Sequence, residues 1–337
     1  MIDYKCFELH THTINSDGQF TTEALCESAR QYLYDAIAVT DHNTMSALED
    51  ITPELIKRTL PVIPGIEWTT FFGHLLVIGA EKYIDWRFAL PENIDTYIAE
   101  IKAVNGIVGI AHPFNVGSPL CTGCYWDFKI HNWNNVDYIE VWSEPFPQER
   151  FKNNLAFNWW TKLLNRGYKL AAGSGRDWHG PDKEDVLTSA TYLGLQDGII
   201  TGVTVKEALA KGRTFVTCGP VLHITLSNAF GTCGLGETAA AGECTLTIHL
   251  DESKRRSVWE RFGLRTKFIQ IVHNGTTVQK IPCDGVYTGT LSLNLSPGWV
   301  RVEGYGYYNY KGKYNIDDHK LLVFSSPIFI GMRGCNT

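Results

Sequence analysis

Cys6-Phe7-Glu8-Leu9-His10-Thr11-His12 sets the grammar of this chain: a short apolar run that ends on side chains able to ligate a metal. The same order recurs at Val39-Thr40-Asp41-His42, at Ile110-Ala111-His112-Pro113 and before Asp177-Trp178-His179. Gly73-His74-Leu75 is the exception, with its histidine at a strand's start. Strand-type runs fall at residues 6–9, 36–40, 62–66, 75–79, 107–111, 138–142 and 169–172, most of them too short for helices and bounded by Gly, Pro or polar turns. Helical patterns lie between several of them. Ile94, Ile98, Ile101 and Val104 share a face up to Gly106, and Phe151, Leu155, Trp159 and Leu163 repeat at four-residue spacing up to Gly167. Thr204-Val205-Lys206-Glu207 reads as a capping box opening a helix that closes at Gly212. Strand–helix alternation predicts parallel strands with helical crossovers. Seven strands in about 215 residues suit an α/β barrel of βα units, whose active site collects side chains from the C-terminal ends of its strands.

The chemistry agrees with that placement. Imidazole and carboxylate are the ligands that borderline divalent metals take. Six of the first seven histidines sit at strand boundaries, which packing alone explains poorly, and we read a multinuclear metal hydrolase. His223, His249, His273 and His319 lie on β-like segments without carboxylate partners and are assigned no function.

From about Val221 the pattern changes. Residues 246–250, 268–272, 291–295 and 299–303 alternate apolar and polar, with turn signals at Asn274-Gly275 and Ser296-Pro297. That predicts an all-β module, a small sandwich. Gly219-Pro220 marks the boundary between a unit of residues 1–219 and an accessory unit of residues 220–337.

The chain has 337 residues and a formal charge of −6 without a basic cluster, which argues against a nucleic-acid polymer as the main partner. Neither a signal-peptide pattern nor a membrane-length apolar run is expected, and nine scattered cysteines fit reduced cytoplasmic thiols. Cys121 and Cys124 form a single Cys-x-x-Cys pair, better read as a loop accident than as a zinc site.

Five motifs in order resemble the PHP (polymerase and histidinol phosphatase) superfamily: Glu8-Leu9-His10-Thr11-His12-Thr13 with Ser16-Asp17-Gly18, Thr40-Asp41-His42-Asn43, Gly65-Ile66-Glu67, Ala111-His112-Pro113, and Gly173-Ser174-Gly175-Arg176-Asp177-Trp178-His179. Residues 208–220, with Ser325-Ser326-Pro327-Ile328-Phe329-Ile330, resemble its CehA/McbA-like branch. The resemblance implies a distorted (β/α)7 barrel holding two or three divalent ions, Mn, Zn or Fe. It implies that His10, His12, Glu67 and Asp177 hold the first ion. Glu67 then bridges to a second, completed by His74 and His112, and Asp17, His42 and His179 hold a third. Asp17 stands where some relatives use His.

A hydroxide between two such ions is the expected nucleophile. Arg176, beside a ligand position, is expected either to grip a phosphate through paired hydrogen bonds or to form a salt bridge with one of the nearby acids. Asp41 is expected either to orient a ligand or to cap a helix. Trp68, Phe114, Trp142 and Trp178 are candidates for a stacking wall, against the alternative of core packing. Glu140, inside a strand, could face either way. The first expectation is a phosphoesterase acting on a small phosphorylated substrate, a phosphomonoester or a nucleotide-like phosphodiester. The alternatives are a carboxylic ester or carbamate hydrolase using the same site, and a catalytically silent scaffold or binding module.

Overall fold

The protein's structure, a computed structural model, describes residues 1–117, 123–310, 312–314 and 318–332. Cys121 lies outside the described residues; Cys6, Cys26, Cys218, Cys233, Cys244 and Cys283 are free thiols. The first half runs β1 (Ile2–Glu8), α1 (Thr22–Gln31), β2 (Ala36–Val39), α2 (Pro53–Arg58), β3 (Val62–Thr70), β4 (Gly73–Ile78), α3 (Ile94–Ala103), β5 (Ile107–Ile110), β6 (Tyr138–Ser143), α4 (Phe151–Asn165), β7 (Ala171–Gly175), β8 (Ala190–Gln196), α5 (Gly202–Ala210) and β9 (Thr214–Thr217). All seven expected strands are present. β8 and β9 are additional, and both run antiparallel to their neighbours.

The expected barrel is corrected in two respects. The sheet is mixed: β1, β2 and β3 pair in parallel, as do β5, β6 and β7, but β4 is antiparallel to both β3 and β5. The reason is the two-residue turn Phe71-Phe72, far too short for the helical crossover that parallel pairing needs. Nor does a strand ladder close the ring among the described residues; the strand path ends at β7. Its ends are nevertheless drawn together. Thr11 and Trp178 form an isolated parallel bridge, in which His12 N–H donates to Trp178 O at 3.0 Å and Trp178 N–H donates to His10 O at 3.1 Å. Side chains join the same seam, with Ser174 N–H donating to Thr191 Oγ1 and Thr214 Oγ1 donating to Ala172 O. Inside the curl, Phe7, Leu9, Ala38, Leu76 and Tyr138 pack with Val205 and Leu209 of α5 into one buried cluster.

Local chemistry moved two helices from their expected positions. Thr201, not Thr204, caps α5: its hydroxyl accepts from Thr204 N–H while Thr204 Oγ1 accepts from Thr201 N–H. α4 buries Asn153, Ala156, Trp160, Leu163 and Leu164, leaving Phe151 exposed. A strict four-residue repeat drifts around a helix of 3.6 residues per turn, so the expected face was rotated. α3 buries Ile94, Ile98 and Ile101 as expected.

The second half is β-rich. Its strands are β10 (Val221–Asn228), β11 (Gly231–Cys233), β12 (Thr238–Ala240), β13 (Gly242–Asp251), β14 (Arg265–His273), β15 (Thr276–Pro282), β16 (Tyr287–Leu295), β17 (Gly298–Tyr307), β18 (Asn309–Tyr310), β19 (Lys313–Tyr314), β20 (Lys320–Ser325) and β21 (Ile328–Gly331). β11, β10, β13 and β16 form a separate four-stranded sheet, whereas β20 pairs with β9 and carries the main sheet across residue 220. Leu222, Ile224, Leu246 and Ile248 from one sheet share a core with Ile269, Val300 and Val302 from the other. No helix among the described residues is long and apolar enough to cross a membrane.

Candidate metal centre

The expected ligand residues converge beyond the strand ends. β1 stops at Glu8, and the bridge to Trp178 then holds His10 and His12 in extended backbone that points both rings inward. His42 follows β2 and bridges to Glu67, which lies within β3. His112 (φ 25°) and Asp177 (φ 51°) follow β5 and β7 in left-handed backbone, a costly conformation that turns their side chains toward the others. Gly175 must be glycine here: an added Cβ would lie 2.3 Å from His10 Cβ and 2.5 Å from Glu140 Oε1.

Three overlapping groups of donor atoms result, each compact enough to surround one ion: His10, Glu67, His112 and Asp177; His42, Glu67 and His74; and His12, Asp17, His42 and His179, so His12, His42 and His112 are not grouped as expected. His10 Nε2 lies 3.2 Å from Glu67 Oε2 and 3.3 Å from Asp177 Oδ1; His12 Nε2 lies 3.3 Å and 3.1 Å from the same two oxygens. On the other side of the carboxylate, Glu67 Oε1 is 2.7 Å from His74 Nδ1 and 3.0 Å from His112 Nε2. Asp17 Oδ1 is 3.2 Å from His179 Nε2, and Asp17 Oδ2 is 3.6 Å from His42 Nε2. Two placements differ from a simple partition. His12 Nδ1 faces Asp17 at 3.8 Å, and His42 Nδ1 faces Glu67 Oε2 at 3.0 Å, so both rings stand between groups.

Four of these donor atoms lie close together without being hydrogen-bonded. His10 Nε2, His12 Nε2, Glu67 Oε2 and Asp177 Oδ1 are all shielded from water and have no hydrogen-bond partner. Unpaired buried polar atoms are rare because each forfeits its hydration. Four converging lone-pair donors are what a divalent cation satisfies, so the residues present fit such an ion. Electrostatics agree. Burial disfavours a charged His10, yet Glu140, Glu67 and Asp177 outweigh it and push its pKa up. Burial likewise opposes ionisation of Glu67, and His10, His74 and His42 pull its pKa well below the usual range. The third group is more open, with the Asp17 side chain 59% exposed. There the His179 hydrogen bond lowers the Asp17 pKa to about 2, and His179 rises to about 9 because Asp17 and Asp177 outweigh its burial.

Two carboxylates absent from the expected ligand set support it. Glu140 Oε1 lies 3.0 Å from His10 Nδ1, and Glu140 Oε2 accepts from His112 N–H at 2.8 Å. Glu8 Oε1 accepts from His10 N–H and Arg176 N–H, and burial pushes its pKa up to about 7. The sequence signal for both was a carboxylate inside an apolar strand; for Glu8 there was also its two-residue spacing from His10. A histidine ligand held through its second nitrogen loses roughly 10–100-fold in metal affinity when that partner goes. Glu140→Gln is therefore expected to weaken the first ion by about that factor, read by metal titration, with the fold intact by circular dichroism.

Arg176 is buried and takes the second of its two expected roles, a salt bridge to a nearby acid, in place of the phosphate contact. Its Nη2 donates to both Asp182 oxygens at 2.7 and 2.6 Å, and its Cζ lies 3.9 Å from the Trp178 ring centre and 4.6 Å from that of Tyr32. Arg176→Lys is expected to leave KM for a phosphorylated substrate unchanged and to cost about 1–3 kcal/mol of stability, since an ammonium loses the paired contact and the stacking. A several-fold rise in KM would return the residue to the pocket. Asp41 neither caps a helix nor touches a ligand ring. It accepts from Thr13 N–H, Thr13 Oγ1 and Ser16 Oγ, each at 2.7 Å, and so ties down the loop that carries Asp17. Trp68, Trp142 and Trp178 are buried core, leaving Phe114, packed against Tyr125 and Trp159, as the half-buried member of the proposed wall.

An α/β fold with three adjoining His–carboxylate groups at one rim defines a class of protein that gathers divalent ions. Residues 8–103 match the family described as the PHP domain. The chain is 38% identical over 66 residues to the 5'-3' exoribonuclease Rnm of Escherichia coli (strain K12), covering 19% of this chain and 22% of that protein. The same nuclease from Salmonella typhimurium is 36% identical over 66 residues, with the same coverage. The chain thus spans about a fifth of the length of these curated relatives. A crystal structure from Bacteroides vulgatus, described as a two-domain protein containing a predicted PHP-like metal-dependent phosphoesterase, superposes with a TM-score of 0.52 at 15% identity, over 97% of this chain and 96% of that one. These matches support the PHP superfamily and an α/β fold. They do not reach the CehA/McbA-like branch. Since two relatives bear the name of a nuclease acting on RNA, the exclusion of nucleic acid drawn from net charge does not carry over.

Proposed function

We propose that this protein is a metal-dependent phosphoesterase acting on a small phosphomonoester or a nucleotide-like phosphodiester. The observation that carries this reading is the convergence of His10 Nε2, His12 Nε2, Glu67 Oε2 and Asp177 Oδ1, buried and without hydrogen-bond partners. In this reading these four hold the first ion; Glu67, His74 and His112 hold the second; Asp17, His42 and His179 hold the third, nearest to solvent. Mn, Zn and Fe all suit such N/O ligation. When bound, these ions supply Lewis acidity toward the substrate's oxygens and lower the pKa of a water.

The chain's own residues do the positioning. Glu67 presents one oxygen to each side, Glu140 fixes the His10 ring, and Thr69 Oγ1, 2.6 Å from His42 Nδ1, fixes a third ligand. Asp41 holds the Asp17 loop. Every candidate ligand precedes residue 220, which supports a hydrolase unit of residues 1–219 and an accessory unit of residues 220–337. The relatives' activity on RNA, whose links are phosphodiesters, supports the nucleotide-like substrate.

One observation favours a second reading, carboxylic ester or carbamate hydrolysis at the same site. The Arg176 guanidinium is buried with its Nη2 bound to Asp182, which favours a structural role over a phosphate clamp. The deciding experiment reloads metal-free protein with Mn, Zn or Fe and offers aryl phosphate monoesters, diesters, carboxylic esters and a carbamate. Cleavage of a phosphate monoester (phosphate released) or diester (aryl alcohol and phosphomonoester released) that His10→Ala abolishes is the expected result. Ester or carbamate cleavage alone hands the site to the second reading, and bound metal without turnover reopens the silent module.

A further inference from the structure

Among the described residues, the long edge strands of this fold are blunted, with β16 the exception. A strand at an edge presents unpaired backbone N–H and C=O groups, and proteins guard such edges by shortness, lysine, proline or a bulge. β11 and β12 have three residues each. β15 carries Lys280 and Pro282 and pairs with β14 through a register break at Ile271/Val272. β7 is fully buried and bonded through side chains to Thr191 and Thr214.

β16 has none of these protections. It runs nine residues, Tyr287-Thr288-Gly289-Thr290-Leu291-Ser292-Leu293-Asn294-Leu295, without a charge or a proline. Its nine-pair register with β13 is unbroken, and among the described residues no other strand pairs with it. At roughly 3.4 Å per residue the open edge is about 30 Å long. Thr288, Thr290, Ser292 and Asn294 face outward and are exposed, while Tyr287, Leu291 and Leu293 face the sandwich core and are only half buried. The core is therefore unfinished along this one seam.

We propose that a second copy of this chain completes it, with the two β16 strands pairing antiparallel about a two-fold axis near Leu291. Two four-stranded sheets then become one of eight strands. A two-fold contact must be self-complementary. An uncharged edge meets its own copy without repulsion; each half-buried Leu291 gains the other copy's Leu291 as cover, and Leu293 lies diagonal to that same residue. The outward hydroxyls fall opposite one another, Thr290 against Ser292, where they can hydrogen-bond across the seam.

Sedimentation equilibrium of the full-length protein tests this. The expected result is a mass twice that of one chain. Thr290→Lys combined with Ser292→Lys sets like charges face to face and is expected to halve the mass, while circular dichroism and any hydrolytic activity stay unchanged. A single-chain mass for the unaltered protein at its highest soluble concentration overturns the proposal, and with it the second copy as occupant. A dimer that persists in the double-lysine variant overturns it equally. Should that variant fail to fold, amide exchange on the unaltered protein decides: protection across residues 288–294 must rise with concentration, and concentration-independent exchange refutes the pairing.

Discussion

Glu67→Gln is expected to strip the first two ions and to lower kcat/KM on the order of a thousandfold. Glu67 is fully buried, and its two oxygens lie within 3.3 Å of nitrogens on five rings: His10, His12, His42, His74 and His112. A glutamine keeps the shape, but it presents one weak oxygen donor and an amide that cannot ligate. Both groups that share the carboxylate fail together. Losing about 4 kcal/mol of Lewis-acid stabilisation corresponds to roughly a thousandfold in rate. Metal analysis by mass spectrometry alongside steady-state kinetics checks it. Two ions per chain retained in the variant would mean that Glu67 does not join the groups.

Removing the metal is expected to lower Tm by about 8 °C or more, independently of any substrate. An ion held at a thousandfold excess over its Kd adds about 4 kcal/mol to the folded state, and each kcal/mol moves Tm by roughly 2–4 °C in a larger domain. The cause is visible in the centre: the lone pairs of His10, His12, Glu67 and Asp177 stay buried with nothing to satisfy them. Calorimetry before chelation, after it, and after metal is restored reads the shift and its reversal. A Tm that chelation leaves untouched would argue that these atoms hold no ion.

The strands were legible because an apolar run between turn residues has one economical fate, burial in a sheet, and β1, β2, β3, β5, β6 and β7 form where those runs lie. His10, His12, His42, His112, Asp177 and His179 were legible for a related reason: imidazole and carboxylate at the ends of such runs have little packing use. Between the two roles open to Arg176 the sequence could not choose, because neighbours in the chain need not be neighbours in the site. The left-handed backbone at Asp177 aims its side chain apart from those of its two neighbours. Asp177 turns toward the histidines, so Arg176 before it and Trp178 after it turn away, where they stack on one another. Asp41, next to His42, is engaged elsewhere as well, by Thr13 and Ser16.

The strand direction of β4 was decided by a turn of two residues, which a list of strands does not register. Glu140 was decided by a bulge. Between Glu140 and Trp142 the register of β6 against β7 shifts, and alternation alone cannot say which face a residue beside such a shift takes. By itself, then, the sequence determined which residues could ligate and which segments would be strands, since both follow from local composition and spacing. Only the tertiary structure decided that five rings meet one carboxylate, that Arg176 serves Asp182, and that β16 is left with an open edge. Those depend on how distant segments are registered against one another, and a register is a property of the packed sheet.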